Sequence, residues 1–248
     1  MTGLRTGERT ADIVIRRLSA FRRISPQAAA NLEDAVRGRV IVASAGQEVV
    51  CEGDPADRIR IVLSGWLARY KALEDGRRQI VAFILPGETC DPYVYLTRQM
   101  DHSIASLTPT SFAEIERERF EALVASDRSL AEAFRCEMLS NVAIQREWTL
   151  NLGRRDAFER VAHLLCELIE RLRRIGLWDG NSCALPVTQL DLADATGLSV
   201  VHVNRTLQEL RSSGLIVLRD RLLTVHDLEA LKEAALFSPD YLNYLPLA

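Results

Sequence analysis

His202, Asn204, Arg205 and Gln208 crowd the second half of the segment TQLDLADATGLSVVHVNRTLQEL, residues 188–210. Their imidazole, amide and guanidinium groups are of the kind that reach base edges and phosphates in a DNA groove. Arg205 carries a planar fork able to bond guanine O6 and N7 together. Between these residues Val203, Leu207 and Leu210 recur at helical spacing. One face of such a helix is buried and the polar set is left on the others. Val200 and Val201 open the same helix.

The flanking residues say what positions that helix. Ser199 is an N-cap, its side-chain oxygen available to an orphan backbone N–H of residues 200–210. Gly197 sits where a sharp turn calls for positive φ. Residues 189–195 read as the preceding helix, so the segment is a helix-turn-helix. Arg211, Ser212, Ser213 and Gly214 then read as a helix end with a glycine stop. Two short apolar runs, residues 215–218 and 222–225, flank the turn Arg219, Asp220, Arg221. A hairpin directly after the second helix makes a winged helix. Arg219 and Arg221 at its tip are placed to meet phosphates, which position a protein without reading sequence; a solvated turn accounts for them equally well. The expected DNA-contacting set is Ser199, Val200, Val201, His202, Asn204, Arg205, Gln208, Arg219 and Arg221.

Composition bounds the rest. The chain has 248 residues, 48% hydrophobic and 26% charged, the profile of an ordinary globular protein long enough for two domains. Its net charge of −3 does not announce a nucleic-acid binder. Attraction to DNA must come from local placement of Arg205, Arg211, Arg219 and Arg221, so specificity is expected to depend on dimeric binding. No apolar run is long enough to cross a bilayer, and the first residues, MTGLRTGERTAD, lack an apolar signal core, so a cytoplasmic protein is expected. The five cysteines, Cys51, Cys90, Cys136, Cys166 and Cys183, form no CxxC pair and fit neither a zinc nor an iron–sulfur site. His163 and Cys166 share one helix face, a spacing that buried packing explains as well as a metal does. No nucleophile elbow, P-loop, HExxH or glycine-rich dinucleotide turn occurs, so no catalytic residue is assigned and an enzyme is not expected.

Stepping along the chain, residues 12–37 hold two short helices, with Pro26 opening the second. Residues 39–116 change to short strands, among them VIVA, EVVCEG, IRIVLSG and TSFAEIE, separated by turns at Gly46, Gly53, Gly65, Gly76 and Gly87. A short helix at 119–124 precedes a long one at 129–152. Along the long helix Leu130, Phe134, Met138, Asn141, Gln145, Trp148 and Leu152 alternate by three and four, the seam two packed helices require. That seam is expected to join two copies of the chain; packing on its own β-domain is the alternative, and the two are compatible. Residues 151–156 are expected to interrupt the helix and to form the hinge between domains: Gly153 allows a bend and Asp156 caps the helix 157–174. Residues 177–186 read as a loop. The apolar tail 237–248 is expected to pack on a neighbouring surface. The fold class is α+β: a jelly-roll-like sensor β-roll at 1–128, a dimerisation helix at 129–152 and a winged helix-turn-helix at 153–248.

This order resembles the Crp/Fnr family of bacterial transcription regulators. The carriers are Gly53, Gly65, Gly76 and Gly87, the phrase Leu85, Pro86, Gly87, Glu88, the run RVAHLL at 160–165, and the helix-turn-helix with its wing. The resemblance spans nearly the whole chain. It implies a homodimer on a two-fold symmetric DNA site, with a ligand or redox signal in the β-roll shifting the balance between binding-competent and incompetent arrangements. RNA polymerase is kept open as a further partner.

The effector region implied by the resemblance comprises Glu88, Cys90, Asp91, His102 and Ser103. In cyclic-nucleotide-binding members a Gly-Glu pair holds the ribose and an Arg holds the phosphate. Here Asp91, Pro92 and His102 take those places. Pro92 has no acceptor side chain and no N–H, Asp91 repels a phosphate, and His102 lacks the guanidinium fork. Response to a cyclic nucleotide by that chemistry is therefore not expected. An N-terminal iron–sulfur centre lacks its cysteines, since none precedes Cys51. Haem near Cys90 and His102 stays open beside ordinary packing, and the cofactor is left unknown. In the recognition helix, family members often carry Glu and Arg where this chain has Val201 and Arg205. Val201 accepts nothing from cytosine but can touch a thymine methyl. A second reading removes the sensor: the β-roll is only a scaffold, and control comes through protein abundance or cysteine oxidation, with Cys183 the thiol to watch.

Overall fold

The computed structural model describes the backbone of residues 6–245 and the side chains from residue 11 onward. The expected polar N-terminus and apolar tail therefore lie partly outside the described residues. The chain divides into two compact units, and the division falls inside one long helix, between Asn141 and Val142.

The first unit begins with helices α1 (Thr6–Ser19) and α2 (Pro26–Gly38). Ser25 caps α2 by accepting from the Ala28 N–H, and the proline stands in the first turn, where its missing donor costs nothing. Seven strands follow: β1 (Val40–Ala43), β2 (Glu48–Val50), β3 (Arg58–Ser64), β4 (Leu67–Ala72), β5 (Arg78–Ile84), β6 (Ser103–Ser106) and β7 (Thr110–Glu116). They pair as two sheets, β1-β7-β3 and β2-β6-β4-β5, the roll expected from the glycine-punctuated strand pattern. Alternation sets which faces are covered. On β3, Ile59 and Ile61 are fully buried, while Arg60 stands opposite Glu114 of β7 and pairs with it at 3.0 Å. Helix α3 (Arg117–Ser126) leads into α4 (Arg128–Arg154). The first turns of α4 place Leu130, Ala133 and Phe134 in one core with Val14, Leu18, Leu32 and Val36 of α1 and α2.

The second unit comprises residues 142–242 and the β4–β5 hairpin tip, residues 71–82. Its spine is α5 (Ala157–Arg174), begun by a reciprocal capping box of Asp156 and Glu159 and buried from Val161 to Leu172. The expected loop at 177–186 contains a strand instead, β8 (Ser182–Ala184), which completes a three-stranded sheet of order β8-β10-β9. Helices α6 (Gln189–Thr196) and α7 (Val200–Ser212) precede the hairpin β9 (Val217–Arg219) and β10 (Leu222–Thr224), and α8 (Leu228–Ala234) follows. A 3-10 turn at Pro239–Leu242 sets Tyr241 parallel to the His163 ring and gives its hydroxyl to Glu167 at 3.0 Å. The tail thus packs as expected where it is described. The expected interruption from residue 151 does not occur: helix α4 runs unbroken through Gly153 to Arg154, and the break is confined to the two residues before α5.

Candidate nucleic-acid interface

The helix-turn-helix forms as its caps dictate. Thr188 and Asp191 cap α6 reciprocally, and Gly197 ends it in the left-handed conformation at φ 65°. A Cβ at Gly197 would also lie 3.1 Å from a Leu152 methyl, so both conformation and space call for glycine there. Ser199 accepts from the His202 N–H at 3.2 Å and starts α7. Val203, Leu207 and Leu210 are buried as their spacing requires. Asn204 donates to Gln189 at 3.2 Å, tying the two helices together, so its amide is partly spent on geometry. Val201, Arg205 and Gln208 follow one another along the exposed side of α7, with Val200 exposed and His202 half-buried beside them. Ser199 holds its hydroxyl in the cap. Arg219 and Arg221 are exposed at the wing, whose turn residues Asp220 and Arg221 both take positive φ, 50° and 61°. Arg211 reaches back to the Leu218 carbonyl at 3.4 Å and braces that wing against α7.

Three residues outside the expected set position this surface. Arg160 donates to the carbonyls of Thr196 at 2.7 Å, Arg155 at 2.9 Å and Leu152 at 3.3 Å, gathering the ends of α6 and α4 on one guanidinium. From the hairpin tip, Arg78 bonds Asp194 at 2.8 Å and Asp191 at 3.3 Å, and Gln79 donates to the Ala195 carbonyl at 3.2 Å. Arg160 was legible only as part of the family phrase. Arg78 and Gln79 carried no signal, because a contact so distant in sequence leaves no local pattern.

Of the expected effector residues, Asp91 and His102 meet, and the polar groups of the set are engaged within the chain. Glu88 is buried, ion-paired with Arg17 at 3.0 Å and accepting from the Leu85 N–H at 2.9 Å. Arg17, itself buried, also lies 3.7 Å from Glu137, and the Tyr244 hydroxyl accepts from it. Thr89 donates its hydroxyl to Glu137 at 2.7 Å and its N–H at 3.2 Å. Burial outweighs the help of Arg17 and pushes the Glu137 carboxyl up to about 7. Asp91 takes Arg69 at 2.9 Å and His102 at 3.1 Å, and His102 also meets Asp101 at 2.7 Å. Ser103 is occupied by the Glu52 N–H at 2.9 Å. The Cys90 thiol is pushed up to about 12, by burial first and the neighbouring Asp91 second. These residues do not fit a cyclic phosphate: the Arg69 guanidinium already faces Asp91, the His102 ring stands against the same carboxylate, and Pro92 is buried with no donor to offer.

The thiol proposed for oxidation is also poorly suited. Cys183 is buried in β8, and burial alone pushes it up to about 12, away from the thiolate that oxidation needs. His163 and Cys166 lie in the buried spine of α5. The His163 ring faces Asn151 at 3.1 Å, and burial lowers it to about 3.

The seam residues of α4 divide. Leu130 and Phe134 are consumed by the core of the first unit. Trp148 is buried and donates its indole N–H to Glu167 at 3.0 Å. Those three are therefore covered within their own chain. Asn141 is half-buried, Gln145 is exposed and donates to the Val81 carbonyl, and Met138 and Leu152 are exposed. The exposed apolar set on α4 also includes Leu139, Val142 and Leu150, which the seam pattern passed over.

The Crp-like helix-turn-helix domain model matches residues 159–234, and the cyclic nucleotide-binding domain model matches residues 40–127. The nitrogen fixation regulation protein FixK of Rhizobium meliloti (strain 1021) is 32% identical over 190 residues, 75% of this chain and 82% of the relative. The transcriptional activator protein FnrL of Cereibacter sphaeroides is 29% identical over 231 residues, 92% of each chain. Among solved structures, FixK2 from Bradyrhizobium japonicum superposes with a TM-score of 0.70 at 27% identity, covering 79% of this chain and 96% of that one. No helix among the described residues is long and apolar enough to cross a membrane. With both domains matched in order and a relative aligned over three quarters of this chain and 82% of its own length, the chain belongs to the Crp/Fnr family of DNA-binding transcription regulators.

Proposed function

We propose that the protein acts as a homodimer on a two-fold symmetric DNA site and that its binding does not depend on a cyclic nucleotide held by cassette chemistry. The observation that carries the reading is the exposed row Val201, Arg205 and Gln208 on a capped, braced helix, with Arg219 and Arg221 exposed on the adjoining wing. Arg205 makes no hydrogen bond or ion pair among the described residues, so its fork is free to meet a guanine edge. The neutralised Asp91 network and buried Pro92 support the second half of the reading. The exposed apolar side of α4, Met138, Leu139, Val142 and Leu150, supplies the surface for the second copy.

Selection on random duplex DNA tests this. Purified protein without added nucleotide is expected to enrich a palindrome. Arg205→Ala is expected to weaken binding by about 1–3 kcal/mol and to relax one base position in each half-site. Enrichment only on adding cyclic AMP, or a palindrome indifferent to Arg205→Ala, overturns the reading.

A further inference from the structure

Val201 is 80% exposed, the most exposed large apolar side chain given for the described residues, and it stands in the first turn of α7. Nothing in the fold rewards that placement, since a polar residue there would leave the capped helix intact. The residue lies one helical turn before Arg205 on the same side, so both enter a groove together when α7 does. A valine offers two methyl groups and neither donor nor acceptor. In the major groove the base edges present one methyl group, on C5 of thymine; cytosine has only a C–H at that place, and the other groups read there are hydrogen-bond donors and acceptors. Resting on the DNA-binding reading above, we infer that Val201 is a specificity-determining residue that selects thymine through its 5-methyl group, at the base-pair step next to the one met by Arg205.

The neighbouring side chains sharpen the assignment. Asn204 is held by Gln189, and Ser199 is spent on the cap, so neither competes for that base edge. His202 is half-buried. Val201 is the more exposed of the two valines that open α7, at 80% against 41% for Val200. Contact between its methyls and a thymine methyl removes apolar surface of both partners from water, worth roughly three- to fivefold in affinity per half-site for one methyl.

The test uses the full-length protein and the palindrome enriched by selection. Each thymine is replaced in turn, in both half-sites, by deoxyuridine, which lacks only the methyl. Binding is read by fluorescence anisotropy at fixed salt. One thymine position per half-site is expected to lose roughly tenfold or more over the two half-sites on substitution. Val201→Ser, which carries no methyl, is expected to bind the thymine and uracil sites alike, while keeping its dependence on Arg205. Val201→Glu, which restores an acceptor, is expected to shift the preferred base at that position from thymine to cytosine. Uracil tolerated at every thymine, or a thymine effect that survives Val201→Ser, overturns the inference while leaving DNA binding intact. Failure to enrich any site at all overturns the reading beneath it. Thermal unfolding of both variants at the wild-type midpoint confirms that the comparison is between folded proteins.

Discussion

At the scale of single residues, a buried carboxyl of the first unit sets a pH dependence. Arg17 faces two carboxylates, Glu88 and Glu137. Burial disfavours the Glu137 ion, and with a smaller push from Glu88 it outweighs the help of Arg17 and Thr89, so the carboxyl rises to about 7. A carboxyl whose folded value exceeds its unfolded value near 4.5 binds its proton more tightly in the folded state. The stability this contributes is complete below about 4.5 and is lost as pH rises through about 7. In that window the slope approaches about 1.4 kcal/mol per pH unit. Glu137→Gln, neutral at every pH, is expected to lose this slope and to gain on the wild type as pH rises. Urea unfolding at about pH 5 and about pH 8 measures it, and parallel pH dependence in the two proteins excludes the assignment. None of this was legible in the sequence, where Arg17, Glu88 and Glu137 are scattered charges with no shared motif.

At the scale of elements, the two turns of the DNA-binding unit contrast. Between α6 and α7 the left-handed residue is glycine, and the sequence shows it plainly: a lone Gly197 between two helical patterns, followed by a capping serine. Gly197→Ala is expected to cost about 1–2 kcal/mol through backbone strain. It should also weaken DNA binding, because the angle between the helices shifts; a thermal melt beside an anisotropy titration reads both. An unchanged melting temperature would show that the left-handed backbone is not required. At the wing the left-handed residues are Asp220 and Arg221, and no glycine marks them. The turn was legible from the flanking apolar runs, its conformation was not. Strand β8 escaped because three residues, Ser182–Ala184, are too few to display alternation. It is held by pairing to β10, a partner about forty residues later that no local window contains.

At the scale of the whole molecule, the order of elements was readable because many boundaries carry local chemistry: Pro26, the turn glycines, Asp156 and Ser199. What covers each side of α4 was not. A spacing of three and four identifies an apolar stripe but not its partner. Leu130 and Phe134 are claimed by α1 and α2, whereas Leu139 and Val142, 57% and 41% exposed, are left outside. Replacing both with glutamate is expected to convert a dimer to a folded monomer in sedimentation equilibrium, with helical content retained and affinity for the palindrome reduced at least tenfold through lost avidity. A variant that sediments as the wild type does would remove α4 from the interface. The Arg160 fork carries a consequence of a different kind. Carbonyls from the close of one helix, the following bend and the close of another share a single rigid planar cation, so a tilt of α6 strains its several bonds together. Whatever disturbs that one guanidinium therefore disturbs all of these contacts at once, and the seating of the reading head is hostage to a single side chain.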